Sequence, residues 1–355
     1  MARKVKVAAV QSGPVMPMDR KATTQKACRL IAEASRHGAQ LIVFPECFIP
    51  AFPNWPVDPS AGWVENTAIL TRESVVIPGP ETEALGEAAI AAGACVCIGI
   101  NERHPDFPAM IYNSLCFLGP DGKVIGRHRK LTPSHRERVF HGRGDGTDLF
   151  SVFPTPIGRI GGLICYEHLQ PLFKYAMMTR GEEIHCAVWP GGWGPAGSGG
   201  SGQNQQITQI ASRQYALESG AFTVVASTYL PFPSRETGGG GGGAGGAKAV
   251  ETEAGDQDTA WKPQGGGGWY TGGSAVIAPD GSYIAGPVYG EETILHAEID
   301  LDQIIKRKAY FDPVGRDARW DIVRLYCNPA PLGPCLEERD GPKGETVDTC
   351  RGGML

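Results

Sequence analysis

Short apolar runs, each long enough for one buried strand, alternate along this chain with stretches whose apolar residues recur at helical spacing. Val5 to Gln11 (VKVAAVQ) reads as a first buried strand. Lys21 to His37 carries Ala27, Leu30, Ile31 and Ala34 at helical spacing and stops before Gly38, which predicts a helix. Leu41 to Phe44 (LIVF) is a second strand and runs straight into Pro45-Glu46. A helix over Glu81 to Ala92, closed by Gly93, leads to a third strand, Ala94 to Ile100. Ser114 to Leu118 and Lys123 to His128 flank the turn Gly119-Pro120-Asp121-Gly122, which predicts a hairpin. Arg159 to Cys165 is a further strand, followed by a helix beginning near His168. Strands at Ile184 to Trp189 and Ala221 to Ser227 enclose a helix from about Gln203 to Leu217. A second turn at Pro279-Asp280-Gly281 and a last strand, Thr293 to Ile299, complete the pattern. Strand–helix alternation with added hairpins predicts a mixed α/β fold, its sheets buried against helices.

Two regions depart from this pattern. The segment from about 234 to 268 is dominated by glycine and polar residues, reads as an insertion in a surface loop, and cannot bury enough apolar area to order itself. The end of the chain, 326–355, is polar and Gly-rich and reads as a tail to a single domain spanning 1–325.

Composition narrows the function classes. Of 355 residues, 41% are hydrophobic and 20% charged, an ordinary globular balance with enough apolar mass for a large core. The formal net charge of -5 argues against general nucleic-acid binding. No apolar stretch approaches the ~18 residues of a membrane span, and none near the N-terminus suits a signal peptide. The ten cysteines include no CxxC pair and suggest no small-domain disulfide framework, so buried free thiols in a reducing, cytoplasmic compartment are expected. No pair of Cys and His has the usual zinc-ligand spacing, and no metal or organic cofactor is expected.

Three positions share one local design: an apolar strand that ends in a reactive side chain. Glu46 follows LIVF-Pro45, Lys130 follows the strand 123–128, and Cys165 follows GGLI. Taken singly, each has an ordinary reading as a packed thiol, a surface carboxylate or a solvated amine. Side chains at strand ends meet at one rim of a sheet on rigid supports. A thiol, a carboxylate and an ammonium gathered there are what covalent C–N hydrolysis requires: a nucleophile, a base for its proton, and a cation for the charge that develops on substrate.

The flanking sequences carry a resemblance. FPECFIP (44–50), HRKLTPSHRERVFHGRGDG (128–146) and GGLICYEHLQPL (161–172) are similar, in order and separation, to the three catalytic blocks of the nitrilase superfamily. The resemblance covers Val5 to about Leu325. It implies a four-layer α-β-β-α sandwich and a Glu46–Lys130–Cys165 triad, with Glu137 at the place of a supporting second glutamate. It also implies a homodimer or a larger helical homo-oligomer. Tyr166-Glu167 with Pro171-Leu172 resembles the nitrilase branch, although Tyr166 stands where Trp is common. His141 likewise stands where that branch often has Trp, and DPVGRDARWD (312–321) lacks the His, Tyr and Pro of the branch pattern. The resemblance therefore implies a nitrile as substrate, with an amidase or carbamoyl hydrolase using the same triad as the alternative. The aromatic segments AFPNW and WPGGW place Phe52, Trp55, Trp189 and Trp193, with Tyr166 and His141, as candidate substrate-binding residues. Flat apolar walls of this kind suit an aryl or arylaliphatic nitrile.

Overall fold

The computed structural model describes residues 3–55, 57, 62–192, 199–231 and 270–331, with backbone alone for 199–204. In chain order its first half contains β1 (Lys4–Gln11), α1 (Arg20–Arg36), β2 (Leu41–Val43), α2 (Trp63–Arg72), α3 (Pro80–Ala92), β3 (Cys95–Arg103), β4 (Ile111–Leu118), β5 (Val124–Arg129) and α4 (Glu137–Phe140). Then follow β6 (Val152–Thr155), β7 (Gly158–Ile164), a 3-10 turn (Cys165–Leu169), α5 (Pro171–Met178), β8 (Ile184–Trp189), α6 (Gly199–Ser219), β9 (Phe222–Ser227), β10 (Gly272–Ile277), β11 (Tyr283–Tyr289), β12 (Thr293–Asp300) and α7 (Asp302–Tyr310).

The strands form two six-stranded sheets, ordered β12-β1-β2-β3-β4-β5 and β11-β10-β9-β8-β7-β6. Alternation along β1 shows how they stack. Val5, Val7 and Ala9 pack into one cluster with Ile164, Val188 and Val224 of the second sheet. Ala8 and Val10 point the other way, into a cluster with Ala27, Ile31 and Ala34 of α1 and Leu85 and Ala89 of α3. Both faces of the strand are therefore apolar, as a sheet covered on both sides requires. Beyond the second sheet, Leu163 packs with Met177 and Met178 of α5 and Tyr215 of α6. The result is the expected four-layer α-β-β-α sandwich.

Local chemistry sets the element ends. The Asp19 side chain accepts the Ala22 N–H at 2.8 Å and caps α1, and Gly38 follows the helix at φ 78°. The helix expected near His168 is divided: a 3-10 turn comes first, and α5 begins at Pro171, which lacks an N–H and suits a first helical turn. Helices α2 and α7 are additional to the sequence reading; α7 buries only Ile304 fully and so shows little apolar periodicity. The Gly-rich segment 234–268 lies outside the described residues, as does 332–355, while 326–331 carries no regular structure. Among the described residues, no helix is long and apolar enough to cross a membrane, and eight cysteines are free thiols.

Strand direction places the reactive residues. β1, β2 and β3 pair in parallel, and β4 runs antiparallel to both β3 and β5. β5 therefore ends at the same rim as β2 and β3, which brings Lys130 to the rim where Glu46 leaves β2. The chain from Phe44 to Ile49 then crosses directly over β3, with Phe44 N–H on Cys97 O and Ile49 N–H on Gly99 O. Gly99 has to be glycine for this to happen: a Cβ there would lie 2.2 Å from Pro45 O and 2.7 Å from Cys47 N. Gly99→Ala is expected to destabilise the fold by about 1–3 kcal/mol and to lower turnover further by displacing Glu46. Thermal melts and rate measurements on the one variant check both effects.

Candidate active site

Glu46, Lys130 and Glu137 meet in the interior. Lys130 Nζ, fully buried, donates to Glu46 Oε1 at 2.8 Å and to Glu137 Oε2 at 2.6 Å. Asn113 of β4 donates through Nδ2 to Glu46 Oε1 and Glu137 Oε1, both at 2.7 Å. The Ser134 backbone N–H adds a third donor to Glu137. Glu137 is thus saturated with donors, whereas buried Glu46 Oε2 has no hydrogen-bond partner among the described residues. An unmatched carboxylate oxygen in the interior is costly as structure and useful as a proton acceptor.

Cys165 begins the 3-10 turn directly after β7, at φ 52°. That left-handed backbone is strained for a side chain bearing a Cβ, and it turns the thiol off the strand end. The Cys165 thiol is buried, which is the largest influence pushing its pKa well above the ordinary value; Glu46 pushes the same way and Lys130 opposes. These mutual influences bring Cys165 into the electrostatic field of Glu46, Lys130 and Glu137. Cys165 at rest is therefore a thiol, and a thiol of this kind needs a neighbouring base before it can attack.

The carboxylates differ for physical reasons. Burial drives Glu46 up to about 7, Lys130 pulls it down and Glu137 pushes it up. Burial also acts on Glu137, but Lys130 and His141 outweigh it and hold it below the ordinary carboxylate range. Burial opposes the Lys130 charge, yet Glu137 and Glu46 outweigh it and keep the amine protonated well above its usual pKa. One tight Lys130–Glu137 ion pair and one weakly acidic Glu46 result.

A third carboxylate, Glu167, ties the two sheets together beside these groups. Glu167 accepts the Leu131 N–H and the Ile164 N–H, each at 2.8 Å, and the His128 Nε2–H at 2.8 Å. Burial disfavours the His128 charge, but Glu167 outweighs it and lifts the pKa to about 9. The residue after Lys130 and the residue before Cys165 are thereby fixed to one side chain.

The other sequence candidates lie around this centre in different ways. Buried His141 has Nε2 2.8 Å from Asn101 Oδ1 and Nδ1 3.7 Å from Glu137 Oε1. The Asn101 amide N–H groups go to the Ile49 and Ala51 carbonyls, so Oδ1 is the acceptor and His141 carries its proton on Nε2. Burial lowers the His141 pKa to about 4, so it is neutral near pH 7. Trp55 packs edge-on against Phe140 of α4, the helix that carries Glu137. The Phe52 ring meets Tyr270 edge-on with centroids 6.4 Å apart, and half-buried Tyr166 lies between His135 and Trp189. Trp189 is buried, stacks on His168 and gives its indole N–H to Ser212. Trp193 lies outside the described residues.

Residues the sequence did not single out include Asn113, Asn101 and Tyr270. Asn113 stands beside Ser114, and Asn101 beside Glu102 and Arg103, so sequence pattern singled out neither. Tyr270 is buried, and after burial itself Glu46 and Cys47 are the largest influences raising its phenol pKa, which places it beside the site.

A strand-end thiol, a weakly acidic buried carboxylate and a fixed ammonium are the kinds of group that covalent hydrolysis requires. The family model for carbon–nitrogen hydrolases matches residues 6–309, and this chain belongs to that family. It is 35% identical over 336 residues to an arylacetonitrilase of Aspergillus niger, spanning 91% of this chain and 88% of the relative. It is 37% identical over 328 residues to an aliphatic nitrilase of Rhodococcus rhodochrous, spanning 91% and 82%. The fold matches a carbon–nitrogen hydrolase from Helicobacter pylori with a TM-score of 0.65 at 19% identity, covering 90% of this chain and 96% of that one.

Proposed function

We propose that this chain is a nitrilase that converts an organic nitrile to the carboxylic acid and ammonia through Cys165. The observation that carries the reading is Glu46: a buried carboxylate with one oxygen held by Lys130 and the other without a hydrogen-bond partner among the described residues, in the field of a buried thiol. The similarity to enzymes named for nitriles, over nine-tenths of the chain, directs that chemistry to a C≡N group. Cys165 Sγ bonds to the nitrile carbon as its proton passes to Glu46, and Glu46 hands that proton to the nitrogen, giving a neutral thioimidate and a free carboxylate; the two further hydrogens of ammonia come from the water that follows. Water, deprotonated by Glu46, adds to that carbon; the C–N bond breaks, ammonia leaves and a thioester remains. A second water releases the acid and returns the thiol. Lys130 offsets negative charge as it develops on substrate, and Glu137 fixes the ammonium. The aromatic Phe52, Trp55, Tyr166 and Tyr270, together with the arylacetonitrilase relative, favour an arylaliphatic nitrile.

Ammonia release from phenylacetonitrile, benzonitrile, an aliphatic nitrile and the matching amides tests this reading. Turnover of nitriles, with an acyl mass adduct mapped to Cys165, is expected. Rapid amide turnover with no nitrile turnover would assign the chain to the amidases instead.

The acid side of the pH profile should report Glu46. A base must be deprotonated, and Glu46 lies at about 7, so kcat/KM should fall roughly tenfold per pH unit below that value. A profile measured from pH 5 to 9 checks this, and constant activity down to pH 5 excludes Glu46 as the base.

We also propose that residues 1–325 form one catalytic unit that self-associates. Ile305, Tyr310, Trp320, Ile322 and Val323, close together in sequence near the end of this unit, are all more than half exposed, more large apolar side chains than one short segment ordinarily leaves in water. Light scattering after size exclusion should give at least a dimer.

A further inference from the structure

On the helix side of the second sheet, buried polar groups form a line that the chemistry above does not use. It starts at the nucleophile itself. His168 Nδ1 lies 2.8 Å from the backbone carbonyl of Cys165. His168 Nε2 lies 2.9 Å from His185 Nε2, and His185 Nδ1 lies 2.8 Å from Glu182 Oε1. The hydroxyl of Tyr215 on α6 hydrogen-bonds to Glu182 Oε2. All four side chains are at most 3% exposed. Trp189 stacks on His168 with ring planes 24° apart, and Tyr215 stacks on His185 with centroids 3.7 Å apart. The second sheet makes room for the line: a Cβ on Gly161 of β7 would lie 2.3 Å from Glu182 Oε1.

Counting protons along the line fixes its chemistry. The Cys165 carbonyl can only accept, so His168 Nδ1 carries a hydrogen. The two facing Nε2 atoms need one hydrogen between them, and the His185–Glu182 contact needs another. Two neutral imidazoles supply two hydrogens, and three contacts must be filled. The line therefore holds one extra proton in the interior. His168 faces only a carbonyl and another imidazole, and burial followed by the charge on His185 depresses its pKa strongly, with Lys174 and His128 adding to the effect. The proton belongs at the other end, between His185 and Glu182, where a carboxylate compensates it.

We infer that His168, His185 and Glu182 form a positioning relay for the nucleophile. The Glu182 contact orients His185, His185 directs its hydrogen to His168, and His168 grips the carbonyl of Cys165. That grip fixes the peptide plane leaving a residue at φ 52° and so holds the thiol in its aim. None of the three touches substrate. The inference rests on the reading of Cys165 as nucleophile.

Asparagine at 168 can present an N–H where Nδ1 stands, and alanine cannot. His168→Ala is expected to lower kcat about 100-fold, the scale of a small misplacement of reacting groups. KM should stay within about threefold, and Cys165 alkylation by iodoacetamide should slow in parallel with kcat. His168→Asn should recover kcat to within about fivefold of the parent, for the same geometric reason. Glu182→Gln can donate an amide N–H to His185 Nδ1 and accept from Tyr215, completing the line without the extra proton. It should stay within about fivefold of the parent, while Glu182→Leu falls by tenfold or more in kcat. The Glu182 pair decides the matter if His168→Ala does not fold. Unchanged kcat and alkylation in His168→Ala, His168→Asn no better than alanine, or Glu182→Gln as impaired as Glu182→Leu would each overturn the relay. Cys165→Ser serves as the control: full turnover there removes the nucleophile reading itself, whereas its loss alongside an active His168→Ala removes the relay alone.

Discussion

Cys165→Ser should fold like the parent and lose roughly 10⁴-fold or more of its turnover. The exchange replaces sulfur by oxygen at a buried position, a change small in volume whose cost, about 1–3 kcal/mol at most, is that of a buried hydroxyl short of a partner. Chemistry suffers far more. A hydroxyl is a weaker nucleophile than a thiol and holds its proton more tightly, while the available base, Glu46, lies only at about 7. Lys130 cannot compensate, because both of its short contacts are to carboxylates. Parallel thermal melts and ammonia assays check the prediction, and substantial nitrile turnover by the serine variant would remove the covalent step.

Lys130→Met is expected to damage fold and activity together. The ammonium is the only cation in short contact with Glu46 and Glu137 among the described residues, and all three side chains are at most 3% exposed. Its removal leaves two buried carboxyl groups facing each other across Asn113, a situation that costs about 3–5 kcal/mol when one partner of a buried ion pair is lost. The pH dependence follows from the sign of each shift. In the parent, Glu137 is held below its ordinary pKa, so its contribution is present above the unfolded value and disappears as pH falls. Without Lys130, Glu137 moves above its unfolded value and Glu46, already raised in the parent, rises further. Stability in the variant is then fully present below the unfolded pKa and lost as pH rises through the raised values. The gap between variant and parent should therefore narrow from pH 7.5 to pH 5 in urea denaturation. A constant gap over that range would show that the carboxylates are compensated by another group.

The sequence made the fold and the reactive centre legible for one reason. Glu46, Lys130 and Cys165 each terminate a continuous apolar run, and a run buried on both faces is visible without any knowledge of its neighbours. β8 was legible to the residue, Ile184 to Trp189, because it is bounded by turn residues and filled with apolar ones. What the chain could not show was partnership across space. Asn113 is, beside Ser114, one of two polar letters in IYNSLCFL until β4 is placed between the two glutamates. His185 is one polar letter in IHCAVW, and its partner Glu182 sits at the end of a loop. The indole of Trp189, grouped in sequence with the following glycines, is engaged by His168 and Ser212, which only the fold brings near. Helix α7 was silent because it lies largely exposed.

The base and the cation stand on one sheet and the sulfur on the other, joined at the rim through Glu167. The gap between proton donor and acceptor is accordingly set by how thick the filling between the sheets is. Leu115 of β4 presses toward Gly162 of β7 at this very level, a Cβ on that glycine lying 2.9 Å from the leucine methyl. Widening or thinning that filling by one methylene acts on the enzyme as turning a screw acts on a caliper: the jaws stay parallel and intact while the reading between them changes. Catalytic rate, more than melting temperature, is the sensitive gauge of this protein's innermost packing.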